Sequence, residues 1–229
     1  MGKIIQGGRE AVATRGLFIT KKRYAIMIYD REGKRLDVDG KPGKIKALGL
    51  DLKRSDTPLI IQNFLSELLS LVLNGSTKVP VIEKILQFKY EFSKRPGWEK
   101  GTPKRVNNLT KYHNDEKRLG KTNMPGHVRA ANNWNTMRRI NNDKYTIAIN
   151  DGMKVIVCKL NSNPLGWTSI AYPTDEMHLP KWFKELPFND LEMESTIVDQ
   201  KIDNLLSVLD WNLTGATQTA NTFSTLFEF

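Results

Sequence analysis

The sequence predicts an α+β fold, and three observations lead to that class. Residues 24–30 are a run of strand-forming residues closed by Asp30, and a second predicted strand at 44–52 follows a glycine-containing loop, as in paired strands. Apolar residues then recur every three or four positions over 60–72, as they do on one face of a helix. Further along, residues 155–159 and 168–172 flank a turn and predict a second β-hairpin.

The first predicted strand divides its side chains between two faces. Tyr24, Ile26 and Ile28 share one face, because successive side chains of a strand point to opposite sides. Residues 1–20 precede this strand, contain four glycines, among them Gly7, Gly8 and Gly16, and lack an apolar period. We therefore predict a connector there, which depends on other parts of the protein for support.

Four stretches after residue 56 predict helices. Thr57-Pro58 supplies an N-cap and a first-turn proline for one helix, and a second helix is expected over 80–92. We expect the apolar faces of these two helices to pack together. Helical spacing resumes over 127–140, where Trp134 is expected in the core rather than on a nucleic-acid base, and again over 190–211.

Two stretches lack periodicity. Residues 94–121 are basic and polar, with glycine and proline as interruptions, and predict a long surface loop. Contact with DNA and simple solvation both remain open for this loop, since long loops of high charge are often functional. Residues 214–222 are small and polar, and predict a flexible tether to the end of the chain.

The charge is unevenly distributed along the 229 residues. The formal net charge is +10, but residues 1–56 carry +7, residues 94–139 carry +9, and residues 174–229 carry −7. Basic blocks attract polyanions, and an acidic block is repelled by them. The distribution therefore indicates one surface for nucleic acid and another that is kept away from it.

Composition also argues against several classes of protein. Cys158 is the only cysteine, so the chain forms no internal disulfide and has no cysteine cluster for a metal. Its apolar surroundings predict a buried thiol. The sequence contains no signal peptide and no run of 18 apolar residues. We therefore expect a protein of the cytoplasm.

Three adjacent cations lie directly before the first predicted strand. Lys21, Lys22 and Arg23 are followed by Tyr24, and cations on a fixed backbone are well placed to contact phosphates. The alternative is a solvated basic strand end without a ligand. The triplet alone does not decide between the two, because such motifs are short.

Several motifs occur in the same order as in a known family. They are Arg9-Glu-Ala, Lys21-Lys-Arg-Tyr24, Lys46-Ala-Leu-Gly49, Arg54-Ser-Asp-Thr-Pro58, Met124-Pro-Gly-His-Val-Arg129, Asp151-Gly-Met-Lys154, Asn163-Pro-Leu-Gly166, Ile170-Ala-Tyr-Pro173 and the terminal Ser224-Thr-Leu-Phe-Glu-Phe229. This order resembles the C-terminal part of family B DNA polymerases, above all those of T-even-type tailed bacteriophages. The similarity spans nearly the whole chain and is weakest between residues 75 and 120.

The resemblance implies a division into three parts. Residues 1–56 correspond to the end of the palm, which here includes the first hairpin. Residues 57–213 correspond to a mainly helical thumb with the second hairpin, and residues 214–229 to a flexible tail that binds the sliding clamp. The implied host is a bacterium, so the expected location is the cytoplasm of the host cell.

The resemblance also implies roles for particular residues. The expected contacts to primer-template DNA come from the palm segment and the basic thumb segment, namely Lys21, Lys22, Arg23, Tyr24, Lys46, Arg54, Lys117, Arg118, Lys121, His127 and Arg129. The expected contacts to the sliding clamp come from the apolar residues at the C-terminus, namely Phe223, Leu226, Phe227 and Phe229. The remaining expected partner is the N-terminal portion of the polymerase.

The catalytic motifs of that family are missing from this sequence. Polymerases hold two metal ions with carboxylates, and neither aspartate motif is present, nor is the nucleotide-binding helix or the exonuclease. As part of a DNA-directed DNA polymerase, a nucleotidyltransferase, this chain is thus expected to be inactive alone. No cofactor is expected in it, and Mg²⁺ is expected only in the complete polymerase.

Other functions fit the residues less well. Gly120-Lys121-Thr122 ends like a phosphate-binding loop, but Asp115 stands where the first glycine of that motif belongs. The three histidines have no spacing typical of a nuclease or a metal site. The main alternative is a free-standing basic DNA-binding accessory protein that attaches itself to the sliding clamp.

Overall fold

The computed structural model describes residues 2–6, 9–40, 43–112, 123–209 and 211, with side chains from residue 10 onward. Within these ranges it contains two small antiparallel sheets and six α-helices. The predicted α+β class is thereby confirmed. The chain divides into two compact units, the first made of Met1–Arg54, Leu59–Lys94 and Val198–Phe229, the second of Ser55–Pro58 and Arg95–Ile197.

The first unit contains a five-stranded antiparallel sheet. Its strands are β1 (Gly2–Gln6), β2 (Arg9–Thr20), β3 (Arg23–Arg31), β4 (Lys34–Arg35) and β5 (Lys44–Leu48). They run in the order β1-β2-β3-β4, and β5 pairs with β3. The pairing of β3 with β5 confirms the first predicted hairpin, although β5 ends at residue 48 and a 3₁₀ turn occupies Asp51–Lys53.

The prediction of a connector over residues 1–20 is wrong, because β1 and β2 occupy the whole of its described part. The reason lies in the pairing of β2 with β3, whose register shifts between Val12 and Ala13, between Ala13 and Arg15, and between Phe18 and Thr20. The first shift skips Tyr29 of β3, whereas the other two skip Thr14 and Ile19 of β2. Each residue skipped in β2 moves the following side chains of that strand to its other face. The alternation along β2 is therefore broken in sequence even though the strand is continuous in space.

Three helices complete the first unit: α1 (Leu59–Leu73), α2 (Lys78–Ser93) and, near the C-terminus, a helix at Gln200–Leu206. The first two pack together as predicted, with the ring centroids of Phe64 and Phe88 3.8 Å apart. The other buried side chains of α1 are Ile61, Leu65, Leu68, Leu69 and Leu73, and α1 also contacts β2 and the helix at Gln200–Leu206.

The second unit contains a three-stranded antiparallel sheet of β6 (Thr102–Arg105), β7 (Lys154–Lys159) and β8 (Ser169–Pro173). The pairing of β7 with β8 confirms the second predicted hairpin. Helix α3 (Gly126–Ile140) covers β8, and its Trp134 is fully buried, as predicted. The indole N–H of Trp134 donates to the carbonyl of Ile147 at 2.9 Å.

The prediction of a long surface loop over residues 94–121 is wrong for its described part. A 3₁₀ turn spans Gly97–Lys100, β6 follows, and residues 109–112 are helical. Lys100 is only 1% exposed, because its ammonium group lies 2.7 Å from a carboxylate oxygen of Glu194 and 3.4 Å from one of Asp190. A basic residue in this segment is thus part of the core, and its partners are distant in sequence.

Two short helices, α4 (Lys181–Lys184) and α5 (Asp190–Glu194), follow β8. The helix predicted over 190–211 is observed over 190–206: α5 continues through a π-helical turn at Ser195–Asp199 into α6 (Gln200–Leu206), which ends before the predicted boundary. A π turn holds one residue more than an α turn, so it interrupts the helical period. None of the helices described in the structure is long and apolar enough to cross a membrane.

Candidate nucleic-acid interface

The Lys21-Lys22 pair forms the tip of a β-hairpin. Thr20 at the end of β2 pairs with Arg23 at the start of β3, so the two lysines are the whole of the connecting turn. Both side chains are exposed. The sequence predicted cations just before a strand. The structure shows Lys21 and Lys22 in a tight turn, whose backbone is held by a paired strand on each side. We name Lys21 and Lys22 the lysine turn.

Gly49 holds this turn against the end of β5. Its φ of +66° lies in the left-handed region, and a Cβ atom at this position would lie 2.1 Å from the carbonyl oxygen of Lys22. A residue with a side chain fits neither the conformation nor the space. The spacing Lys46-Ala-Leu-Gly49 thus has a steric purpose, since it brings the end of β5 to the backbone of the lysine turn.

Cross-strand pairing places three residues in one row beside the turn. Phe18 on β2 pairs with Tyr24 on β3, and Tyr24 pairs with Leu48 on β5. The Phe18 and Tyr24 rings stack with centroids 5.9 Å apart. Phe18 is 66% exposed and Leu48 is 48% exposed, which is unusual for side chains of this size on a sheet. We name Phe18, Tyr24 and Leu48 the apolar row.

Two further lysines lie on the same face of the sheet. Lys46 pairs with Ile26, and Lys44 pairs with Ile28, so both follow the apolar row along β5. Lys44 is exposed and Lys46 is partly buried. Sequence reasoning identified Tyr24 and Lys46, but it missed Phe18, Lys44 and Leu48. Those three residues are identified by the register in which β2, β3 and β5 pair, and the periodicity of a single segment does not give that register.

The opposite face of this sheet belongs to the core. Leu17, Ala25 and Met27 are at most 7% exposed, and Arg15 on the same face donates from its guanidinium to the carbonyl of Leu73 at the end of α1, at 3.4 Å. The face that carries the apolar row is also buried in its middle, where Ala13, Ile26 and Ile28 form a small core cluster. The exposed part of that face is therefore its end at Phe18 and Leu48, beside the lysine turn.

Arg23 and Arg54 lie near one buried carboxylate rather than in the lysine turn. Arg23 lines a small crevice together with Asp51 and Lys201. The Asp51 carboxylate is 2.9 Å from the Lys201 ammonium and 3.5 Å from Nε of Arg54, and Arg54 is 57% exposed. The positive charge of these residues is therefore partly balanced within the protein.

The second unit carries the other described residues of the predicted interface. His127 and Arg129 lie in the first turn of α3, where Arg129 is exposed and His127 is partly buried. Burial, and to a lesser extent the charge of Lys104, lower the pKa of His127 below its usual value. The shift favours the neutral imidazole, which can donate one hydrogen bond to a phosphate.

The remaining predicted residues lie outside the described ranges. These are Lys117, Arg118 and Lys121 of the basic segment, the tether at 214–222, and the terminal residues Phe223, Leu226, Phe227 and Phe229. Their proposed contacts stay predictions, as do those of the described cations. Within the described ranges, no three histidine, cysteine, aspartate or glutamate side chains come together as metal ligands, so we assign no metal to those ranges.

Comparison with known proteins identifies similar chains. No family model matches this sequence. A DNA-directed DNA polymerase of Enterobacteria phage T4 is 32% identical over 167 residues, which are 72% of this chain and 17% of the relative. A DNA-directed DNA polymerase of Escherichia phage RB69 is 30% identical over 160 residues, which are 69% of this chain and 17% of the relative. The chain thus spans about a sixth of the length of these relatives.

Proposed function

We propose that this chain forms the end of a polymerase palm, the thumb and the clamp-binding tail. The premise is that it is a fragment similar to the family B DNA polymerases of T-even-type phages. The comparisons support the premise, because the similarity covers about 70% of the chain at 30–32% identity. In this proposal the chain grips primer-template duplex and remains attached to the sliding clamp, while another portion supplies the catalytic carboxylates.

The observation that carries the proposal is the lysine turn locked by Gly49. Phosphate contacts fix the position of a duplex without reading its sequence, and they require cations on a backbone that does not move. Lys21 and Lys22 meet this requirement, because paired strands hold the turn and the end of β5 abuts it. Lys44 and Lys46 extend the positive charge along the same face.

The second unit is proposed to follow the duplex behind the primer end. The support is the net charge of +9 over residues 94–139, to which Lys117, Arg118, Lys121 and Arg129 contribute. His127 would take part as a neutral hydrogen-bond donor. Hydrogen exchange with and without duplex tests this part, because protection of the amides at 123–129 on adding DNA is expected and an unchanged pattern there would contradict it.

The C-terminal residues are proposed to bind the sliding clamp. Phe223, Leu226, Phe227 and Phe229 follow a polar stretch, and aromatic and leucine side chains on a short peptide commonly fill a groove on a partner. Deleting residues 226–229 should leave extension of short primers by the reconstituted polymerase intact and abolish its stimulation by the clamp. Stimulation that survives the deletion would contradict the role of the tail.

The complete polymerase is proposed to use Mg²⁺ held by carboxylates of the N-terminal portion, so purified chain alone should extend no primer. Mixing it with that portion should restore metal-dependent extension. If mixing has no effect while the chain still binds duplex and clamp, the alternative of a free-standing accessory protein is supported instead. Extension by the highly purified chain alone would show that it contains an active site.

Duplex binding is tested most directly at Lys22. Fluorescence anisotropy with a labelled blunt duplex gives the association constant as a function of salt concentration. When the logarithm of this constant is plotted against the logarithm of the salt concentration, the magnitude of the slope falls by roughly 0.9 for each phosphate that is no longer neutralised. We expect Lys22→Ala to weaken binding and to flatten the slope by about that amount. Lys34→Ala is the matched control, because Lys34 is an exposed lysine on β4 of the same sheet. Equal behaviour of both variants would refute the assignment.

A further inference from the structure

A largely buried ion pair joins helix α6 to the segment that follows β5. The Lys201 ammonium lies 2.9 Å from a carboxylate oxygen of Asp51, which begins the 3₁₀ turn at Asp51–Lys53. The two side chains are only 19% and 10% exposed, so water and salt screen their attraction less than that of a surface pair. Both residues belong to the first unit. Lys201 thus fixes a segment that lies 150 residues earlier in the sequence.

This ion pair lies close to the lysine turn. Asp51 is two residues after Gly49, where an added Cβ would lie 2.1 Å from the carbonyl oxygen of Lys22 and 3.1 Å from Cγ of Arg23. Arg23 directly follows the lysine turn, and it lines one crevice together with Asp51 and Lys201. A displacement of the Asp51 backbone would therefore reach the lysine turn through Gly49.

Apolar contacts alone do not fix the position of this segment along α6. Leu50 and Leu52 are buried and line the same crevice as Leu205 of α6, but the attraction between aliphatic side chains has no preferred direction. A charge-assisted hydrogen bond has both a direction and a defined length. The other cation at the Asp51 carboxylate is Arg54, which is 57% exposed and lies 3.5 Å away, so Lys201 is the closer and better buried of the two.

We propose that Lys201 is a positioning residue for duplex binding, which sets the place of the lysine turn through Asp51 and Gly49. The inference rests on the proposed function, because it assumes that the lysine turn binds a duplex. In this proposal Lys201 makes no phosphate contact of its own, since its ammonium is paired within the protein. The sheet then needs α6, from the other end of the chain, in order to hold a duplex.

Anisotropy with the full chain and a labelled blunt duplex tests this role. Lys201→Met should lower the association constant roughly threefold or more, because the lysine turn is displaced. The salt slope should keep its wild-type value, since no phosphate contact is removed. A slope that flattens in Lys201→Met, as it is expected to do in Lys22→Ala, would mean that Lys201 contacts phosphate itself, and would overturn the positioning role.

Lys89→Met is the matched control. The Lys89 ammonium lies 2.8 Å from a carboxylate oxygen of Asp199, directly before α6, and the Lys89 side chain is 7% exposed. This variant removes the same charge and a similar ion pair from the same unit, but the pair does not include the segment after β5. It should bind duplex like the wild type, with urea denaturation showing that both variants are folded. Equal losses of affinity in the two variants would indicate a general effect of charge or stability and overturn the proposal.

Asp51→Ala separates positioning from simple electrostatics. If charge alone matters, removing a carboxylate beside Arg54 and Lys201 should strengthen binding to a polyanion. If the ion pair positions the turn, Asp51→Ala should weaken binding instead. The double variant with Lys201→Met should then lose no more affinity than the weaker of the single variants, because both changes break the same contact. Tighter binding by Asp51→Ala, or additive losses in the double variant, would overturn the proposal.

The outcomes distinguish this inference from the function on which it rests. If the wild-type chain binds no duplex at any salt concentration, the proposed function fails, and this inference fails with it. If Lys22→Ala weakens binding and flattens the slope, but Lys201→Met binds like Lys89→Met, the function stands and the positioning role is overturned. Weaker binding by Lys201→Met at an unchanged slope, with Lys89→Met like the wild type, supports both.

Discussion

Replacing Gly49 with alanine should damage both the stability of the sheet and its grip on a duplex. An added Cβ would lie 2.1 Å from the carbonyl oxygen of Lys22, whereas such contacts are rarely below 3.0 Å, so the turn and β5 must separate by about 1 Å. Alanine at positive φ costs about 1–2 kcal/mol, and overpacking adds about 1–3 kcal/mol. We therefore expect the free energy of unfolding to fall by roughly 3 kcal/mol.

Gly33 offers a control that isolates the steric part. Its φ is +79°, close to the +66° of Gly49, but nothing lies within 4 Å of the place where its Cβ would be. Gly33→Ala should therefore lower the free energy of unfolding by only about 1–2 kcal/mol, through backbone strain. Urea denaturation followed by circular dichroism gives both values, with the slope of the transition checked for constancy.

Duplex binding should separate the two variants further. Because Gly49→Ala displaces the lysine turn, its affinity should fall several-fold under conditions where the protein is still folded, and Gly33→Ala should bind like the wild type. If Gly49→Ala and Gly33→Ala lower the free energy of unfolding equally, the close approach of Gly49 to Lys22 does not hold the turn in place. If Gly49→Ala is less stable but binds duplex normally, the placement of the turn is not what determines binding.

Two further predictions concern ionised groups. Lys100→Ala should cost about 1.5–3 kcal/mol, because it removes the charge-assisted contacts to Glu194 and Asp190, whose side chains are 19% and 46% exposed, and an unchanged urea midpoint would contradict this. Partial desolvation, and next the charge of Asp199, raise the pKa of Asp203, although the residue is exposed. Its ionised form therefore destabilises the fold slightly, and this loss of stability develops as the pH rises from the ordinary pKa of an aspartate through the raised one. Asp203→Asn should therefore raise Tm at pH 7, with the gain shrinking as the pH falls towards the ordinary range of an aspartate, whereas a gain that is independent of pH would contradict the assignment.

Local periodicity predicted the elements whose geometry depends on nearby residues. The helices at Leu59–Leu73 and Gly126–Ile140 and the hairpin of β7 and β8 lie close to where the pattern placed them. Apolar residues at helical spacing create a face that must be covered, so the sequence of one segment is enough to identify such a helix. The burial of Trp134 and of Cys158 followed from the same patterns.

Elements whose geometry depends on distant residues were not predicted. The register shifts of β2 arise from its pairing with β3, and the buried position of Lys100 arises from Glu194, 94 residues away. Nothing in the neighbourhood of Lys100 in sequence distinguishes it from the solvated lysines around it. A long basic loop was predicted because Lys100 looked like one solvated lysine among several. Its burial beside Glu194 and Asp190 shows that this prediction is wrong there.

The sequence by itself determined which residues carry the positive charge, which segments form helices and hairpins, and which polymerases the chain resembles. These properties are encoded in residue types, in their short spacings and in the order of motifs. Only the tertiary structure decided that Lys21 and Lys22 form a turn, that Gly49 abuts it, and that Phe18, Tyr24 and Leu48 form one row. The reason is that a sheet joins residues through register, and register is a relation between strands that no single strand contains.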